Sequence, residues 1–164
     1  MTDAAAPEDP RARMVEAGSR LVAAVREGGA AWVVGVVTER LDQWGGLAAP
    51  DRVAAVAAAE RAGAVAARRV ADELVALLAL PAAEQRLTPL EVMRGLRAEA
   101  TGVLAAAGVP EVVRDEFDER AFPDDVYGIV LRAPAELGDD ELGAVLLAWG
   151  LAKARVLRGP AAED

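Results

Sequence analysis

The sequence predicts an all-α fold: an antiparallel bundle of four to five helices with an irregular crossing segment near residues 122–136. Three observations predict it. The composition is 54% hydrophobic but only 4% aromatic, so a core of alanine, valine and leucine has little volume per residue. Elements with such a core must approach closely, which helices with small contact residues do easily. Apolar positions also recur at helical spacing through most of the chain. Short turn-forming stretches separate those segments, which makes successive helices antiparallel neighbours. At 164 residues the chain is one domain by size, long enough to bury about two-thirds of its unfolded surface. That domain is expected over residues 10–159, between tails at 1–9 and 160–164.

From Pro10 to Trp44, Met14, Leu21, Val25, Trp32 and Val36 keep helical spacing, beside a second track of Val33, Val37, Leu41 and Trp44. Gly28 and Gly29 interrupt the pattern. A glycine pair costs roughly 2 kcal/mol against alanine in a helix interior, so the stretch reads as two helices or one kinked helix. Its β-branched core "AWVVGVV" has no strand partner of matching quality elsewhere. After the turn "GGLAAPD", a long helix is expected from about Pro50 to Leu80. Val56, Ala59, Gly63, Ala67, Val70, Leu74 and Leu77 form its apolar stripe, with Arg61, Arg68, Arg69, Asp72 and Glu73 opposite. The Ala59, Gly63 and Ala67 line permits close helix contact, either within the chain or between copies in a homo-oligomer.

"LPAAEQRL" is a connector. "TPLE" then announces a helix with Thr88 as N-cap, Pro89 at the first position and Glu91 completing a capping box. It runs to about Ala107, with Gly108 as the left-handed stop and Pro110 beyond. Pro110 is expected to open a short helix to about Arg120, followed by the irregular crossing. Asp139 or Asp140 caps a final helix through Arg158. Leu142, Leu146, Trp149, Ala152 and Val156 are its buried face, and Gly159-Pro160 its end.

Composition excludes a good deal of chemistry. Cysteine and histidine are both absent, so there is no disulfide framework, thiolate nucleophile, N/S zinc site or histidine-based triad. The chain holds one serine, Ser19, one tyrosine, Tyr127, and one lysine, Lys153. No Walker-type phosphate loop is present. Carboxylates working with Mg²⁺ are the catalytic route left, and nothing in the pattern favours it. No cofactor is expected. The N-terminus "MTDAAAPEDP" lacks the cationic and apolar regions of a secretory signal. The longest uncharged apolar run, Gly28 to Thr38, is about half of what spans a bilayer. The expectation is a cytoplasmic protein without membrane contact. Seventeen arginines against one lysine, with no asparagine, bear the imprint of a GC-rich genome, so the arginine and alanine content is partly mutational.

The charge of −9 is uneven. Residues 1–50 carry −2, residues 51–109 carry 0 and residues 110–164 carry −7. Within residues 111–141, eleven acids face three arginines, a local −8. Such a field repels nucleic acid and attracts basic surfaces or cations. The stretch "VRDEFDERAFPDDVYG" concentrates it, with six carboxylates and three of the six aromatic residues of the chain. Several of its carboxylates lie three or four positions apart, a spacing at which like charges repel on one helix face. One reading is a solvated helix followed by a crossing that Phe122 and Tyr127 pin to the bundle. The other is a docking surface of Asp115, Asp118, Glu119, Phe122, Asp124, Asp125 and Tyr127 for a basic protein partner. A divalent cation held by Asp115, Glu119, Asp124 and Asp125 is a third reading, without EF-hand spacing to support it.

The runs "LTPLEVMRG", "VLAAAGVPEVVRDEFDERAFPDDVYGIV" and "ELGAVLLAWGLAKARVL" resemble a recurrent C-terminal block in a family of small proteins from GC-rich bacteria that has no characterised activity. The resemblance covers Leu87 to Leu157 and implies only that the block is a family feature. The functional expectation is therefore a non-enzymatic interaction protein, an adaptor or regulatory subunit that docks a basic partner. The alternative is a small-molecule-binding bundle or a carboxylate and divalent-cation site protein. The small-molecule version requires a pocket lined by Trp32, Trp44 or Trp149, with acids converging on it.

Overall fold

A computed structural model describes residues 9–112, 127 and 139–159. Four α-helices and one short 3₁₀ turn make up the described fold, with no strand among the described residues. Helix α1 spans Pro10–Trp44, α2 Ala49–Ala79, the 3₁₀ turn Ala82–Glu84, α3 Pro89–Ala106 and α4 Asp139–Arg158. The all-α bundle expected from composition and periodicity is the fold observed.

Helix ends follow local chemistry. Asp9 caps α1 by accepting the Arg11 N–H on Oδ1 at 3.1 Å, with Pro10 in the first turn. Gly45 ends α1 in the left-handed region at φ 64°, its N–H returning to the Leu41 carbonyl at 2.9 Å. At α3 the capping box is complete: Glu91 N–H donates to Thr88 Oγ1 at 3.2 Å, and Thr88 N–H to Glu91 Oε2 at 2.7 Å. A cap of this kind is worth about 1 kcal/mol. Gly108 closes the same helix with φ 77°. Its N–H bonds the Ala105 carbonyl while Val109 N–H reaches Leu104, both at 3.1 Å, a Schellman motif. Val109 and Leu104, the apolar pair that accompanies it, are both buried. Gly159 ends α4 at φ 70°, with Arg155 and Arg158 in the last turn where they oppose the helix dipole.

One expectation is narrowed and another is corrected. Of the two helices or one kinked helix expected over residues 10–44, a single helix is found, and both glycines of the Gly28-Gly29 pair are buried in it. Propensity loses to packing here. A Cβ on Gly29 would lie 3.1 Å from Ala67 Cβ, and one on Gly63 would lie 2.8 Å from the Ala30 carbonyl oxygen. The glycines mark where α1 and α2 cross at backbone distance. The lost propensity is offset by close contact along Ala59, Gly63 and Ala67, all buried within the chain. That stripe is consumed by α1 and is not available to a second copy. The correction concerns Pro110. Residues 109–112 carry no helical structure, so no helix opens there. The rest of that expected helix, and the crossing segment apart from Tyr127, lie outside the described residues.

Helix α1 is the spine, packing against α2, α3 and α4. Its Leu21, Val25, Val33, Val37 and Leu41 meet Val70 and Leu74 of α2 and Met93, Leu96 and Leu104 of α3 in a single core. Burying each such leucine or valine contributes roughly 1.5–3 kcal/mol. The same spine contains a window apolar enough to cross a membrane, but half of that window is buried inside the bundle. Helix α2 packs against α1 and α3, whereas α4 packs on α1 and reaches the 3₁₀ turn. Leu142, Val145, Trp149 and Ala152 are the buried face of α4, with Leu146 packed partly against the core. Exposed ion pairs bridge the helices, Arg69 to Glu99 at 3.4 Å and Arg20 to Glu141; exposed pairs of this kind contribute little to stability.

Candidate functional site

Of the acidic-aromatic residues expected to form a docking surface, Asp115, Asp118, Glu119, Phe122, Asp124 and Asp125 lie outside the described residues. Tyr127 is described, and it is not exposed. Its ring is 6% accessible, and its hydroxyl donates to the Val109 carbonyl at 3.2 Å. Burial first, then the negative charge of Glu111, raise its phenol above the ordinary value of 10.0, with Arg40 acting in the opposite direction. Arg40 itself donates from Nη2 to the Pro110 carbonyl at 3.1 Å. Tyr127 and Arg40 thus tie the residues that follow α3 to the bundle. For Tyr127, the role as a hook replaces the expected role on a docking rim. The proposed cation ligands Asp115, Glu119, Asp124 and Asp125 are likewise outside the described residues.

A different feature is built entirely from described residues. Because α4 leans on α1 while α2 ends at Ala79, a cleft of about 590 Å³ opens between them. That volume is within the usual range of small-molecule sites. Its floor is one stripe of α1, in which Met14, Val15, Gly18, Ser19 and Val22 repeat at helical spacing. Val75, Leu78 and Leu80 from the end of α2 form one wall, and Trp149 and Val156 of α4 the other. Gly18 allows the floor to close, since a Cβ there would lie 2.8 Å from Leu78 Cδ1. Three large apolar side chains are left open to solvent in this cleft: Val15 at 69%, Val75 at 44% and Leu80 at 43% exposure. Scattered exposed valines need no explanation, but exposed apolar groups gathered in one concavity mark a contact surface.

The polar groups are few and specific. Gln85, 8% accessible, lines the cleft. Its Nε2 donates to the Leu80 carbonyl at 3.2 Å, which fixes the amide, while its Oε1 is buried with no protein partner. Trp149, 4% accessible, lines the opposite wall with a buried indole N–H that also has none. Lys153 Nζ lies 5.1 Å from the Trp149 ring centroid, so the indole carries a cation–π contact. Arg11 and Arg26 complete the lining, and their guanidinium groups make no hydrogen bond or ion pair with any described residue. No carboxylate lines the cleft among the described residues.

The sequence expectation of a tryptophan-lined pocket is met by Trp149 alone. Trp32 is buried in the core and Trp44 packs against it. Among the described residues, two arginines and no acids line the cleft. Arg11, Arg26, Gln85, Val75 and Leu80 are site residues that the sequence did not single out. One signal was present: Val15 and Val75 are large apolar residues that fall off the buried stripes of their helices. Comparisons with protein-family models, curated proteins and solved structures give no match, so the functional reading rests on this geometry.

Proposed function

We propose that this protein is a non-enzymatic binding protein whose helical bundle holds a small, largely apolar molecule in the cleft between α1, the end of α2 and α4. The carrying observation is the concavity of about 590 Å³ in which Val15, Val75 and Leu80 stay open to solvent beside Trp149. A bound apolar molecule removes that exposed surface from water, which contributes roughly 25 cal/mol per Å² covered. The lining supplies recognition and little chemistry: one serine hydroxyl, one amide, one indole and two guanidiniums. Proton–nitrogen NMR tests this directly, because three tryptophans give three indole signals. Naphthol, a neutral compact probe, should shift the Trp149 indole signal and leave those of Trp32 and Trp44 in place. Val75→Phe, at a partly exposed lining position, should weaken that binding. A Trp149 signal indifferent both to naphthol and to a straight-chain alcohol such as decanol, or an affinity unchanged by Val75→Phe, would refute the site.

A second reading is favoured by the charge distribution: the eleven acids against three arginines in residues 111–141 suit docking to a basic protein surface. Ligand site and acidic segment are compatible in one adaptor or regulatory subunit.

A further inference from the structure

We infer that the ligand of this cleft is a linear organic carboxylate, an acyl-chain acid lying along α1 with its head at one of the two arginines. The inference rests on the binding function proposed above and adds the chemical class. Arg11 and Arg26 stand fifteen residues apart on one helix and line the same cleft. At a rise of about 1.5 Å per residue their Cα atoms are about 22 Å apart. They bracket the cleft along its length and do not converge on one point. Dividing about 590 Å³ by that length, and allowing for the radius of a water molecule at each wall, leaves a groove about 8 Å across. A groove so much longer than it is wide suits one extended chain lying along it.

The lining agrees with the shape. Between the arginines the α1 floor presents Met14, Val15, Gly18 and Val22, faced by Val75, Leu78 and Leu80, a surface for methylene groups. The charge agrees as well. Neither guanidinium is engaged by a described residue, and no carboxylate is among the described residues of the walls. The described lining is therefore positive, on a chain whose net charge is −9. An anion is favoured there and an ammonium is repelled. An anionic head on a guanidinium forms charge-assisted hydrogen bonds, about twice as strong as neutral ones. Both arginines are exposed, so loss of one such pair lowers affinity by up to about fivefold.

The experiment uses the full chain with decanoate and decanol, which share an alkyl chain and differ in charge, both kept below aggregation. Calorimetry gives affinities, and the Trp149 indole signal locates the ligand. Decanoate should bind with one-to-one stoichiometry and up to about fivefold tighter than decanol. One of Arg11→Ala and Arg26→Ala should erase that advantage while leaving decanol unchanged, and both ligands should be weakened by Val75→Phe. Equal binding of decanoate and decanol, or decanoate affinity indifferent to both arginine variants, overturns the carboxylate assignment and leaves the cleft as a neutral apolar site. Naphthol binding without binding of either alkyl probe overturns the linear shape alone. If no probe moves the Trp149 signal, both the ligand class and the binding function fall.

Discussion

Gly63→Ala tests the reason that a glycine-interrupted, alanine-rich sequence folds into a bundle. In an isolated helix this change is favourable by about 1 kcal/mol, because alanine has the higher helix propensity. In the folded protein the new methyl would lie 2.8 Å from the Ala30 carbonyl oxygen, 3.2 Å from Val33 Cβ and 3.3 Å from Ala30 Cα. Two of those atoms are backbone, so relief requires α1 and α2 to separate at their crossing. Overpacking of this kind costs about 1–3 kcal/mol. The net expectation is a loss of up to about 2 kcal/mol. Gly102→Ala is the matched control, since a Cβ there meets nothing within 4 Å. It should gain about 0.5–1 kcal/mol. The two identical chemical changes should then differ by about 1–3 kcal/mol, or about 2–12 °C in melting temperature for a chain of this size. Thermal and chemical denaturation of both variants read the difference. A Gly63→Ala protein as stable as the Gly102→Ala protein would refute close crossing of α1 and α2 as the role of the glycine.

Two further outcomes are expected. Tyr127, the one tyrosine of the chain, has its phenol held above 10.0 by burial and by Glu111. With the folded value above the unfolded one, its contribution to stability is complete below pH 10.0 and is lost as pH rises through the folded value. Tyrosinate absorbance should therefore appear above pH 10.0, and Tyr127→Phe should flatten the alkaline loss of stability; absorbance rising at the ordinary value would contradict the buried hook. For the acidic segment, simultaneous replacement of Asp115, Asp118 and Glu119 by alanine should abolish salt-sensitive capture of a basic partner in affinity purification. Recovery equal to that of the unaltered chain would dismiss that docking surface.

Most of the helical architecture was legible because its signals are local. The 3.6-residue period placed Leu21, Val25, Val33, Val70, Leu74 and Trp149 in the core, where they are found. The Thr88 and Glu91 box and the stop at Gly108 were readable because a cap involves side chains within a few residues of the backbone groups they satisfy. The Gly28-Gly29 pair left one helix or two open in the sequence because propensity is a property of an isolated helix. Its compensation comes from Ala67 and Gly63, more than thirty residues away. The acidic block drew attention through composition. Nothing in composition distinguishes Tyr127 as an exposed contact from Tyr127 as a buried hook; its hydrogen bond to Val109 does.

By itself, then, the sequence determined the helix spans, their stops, the small-residue crossing and the lack of histidine and thiol chemistry, all consequences of residue type and short-range spacing. Tertiary structure alone decided where a cavity lies. A cleft depends on which helices fail to touch, here α4 seated on α1 beyond the end of α2. That failure brings Arg11, Gln85 and Trp149, far apart along the chain, into the walls of one concavity.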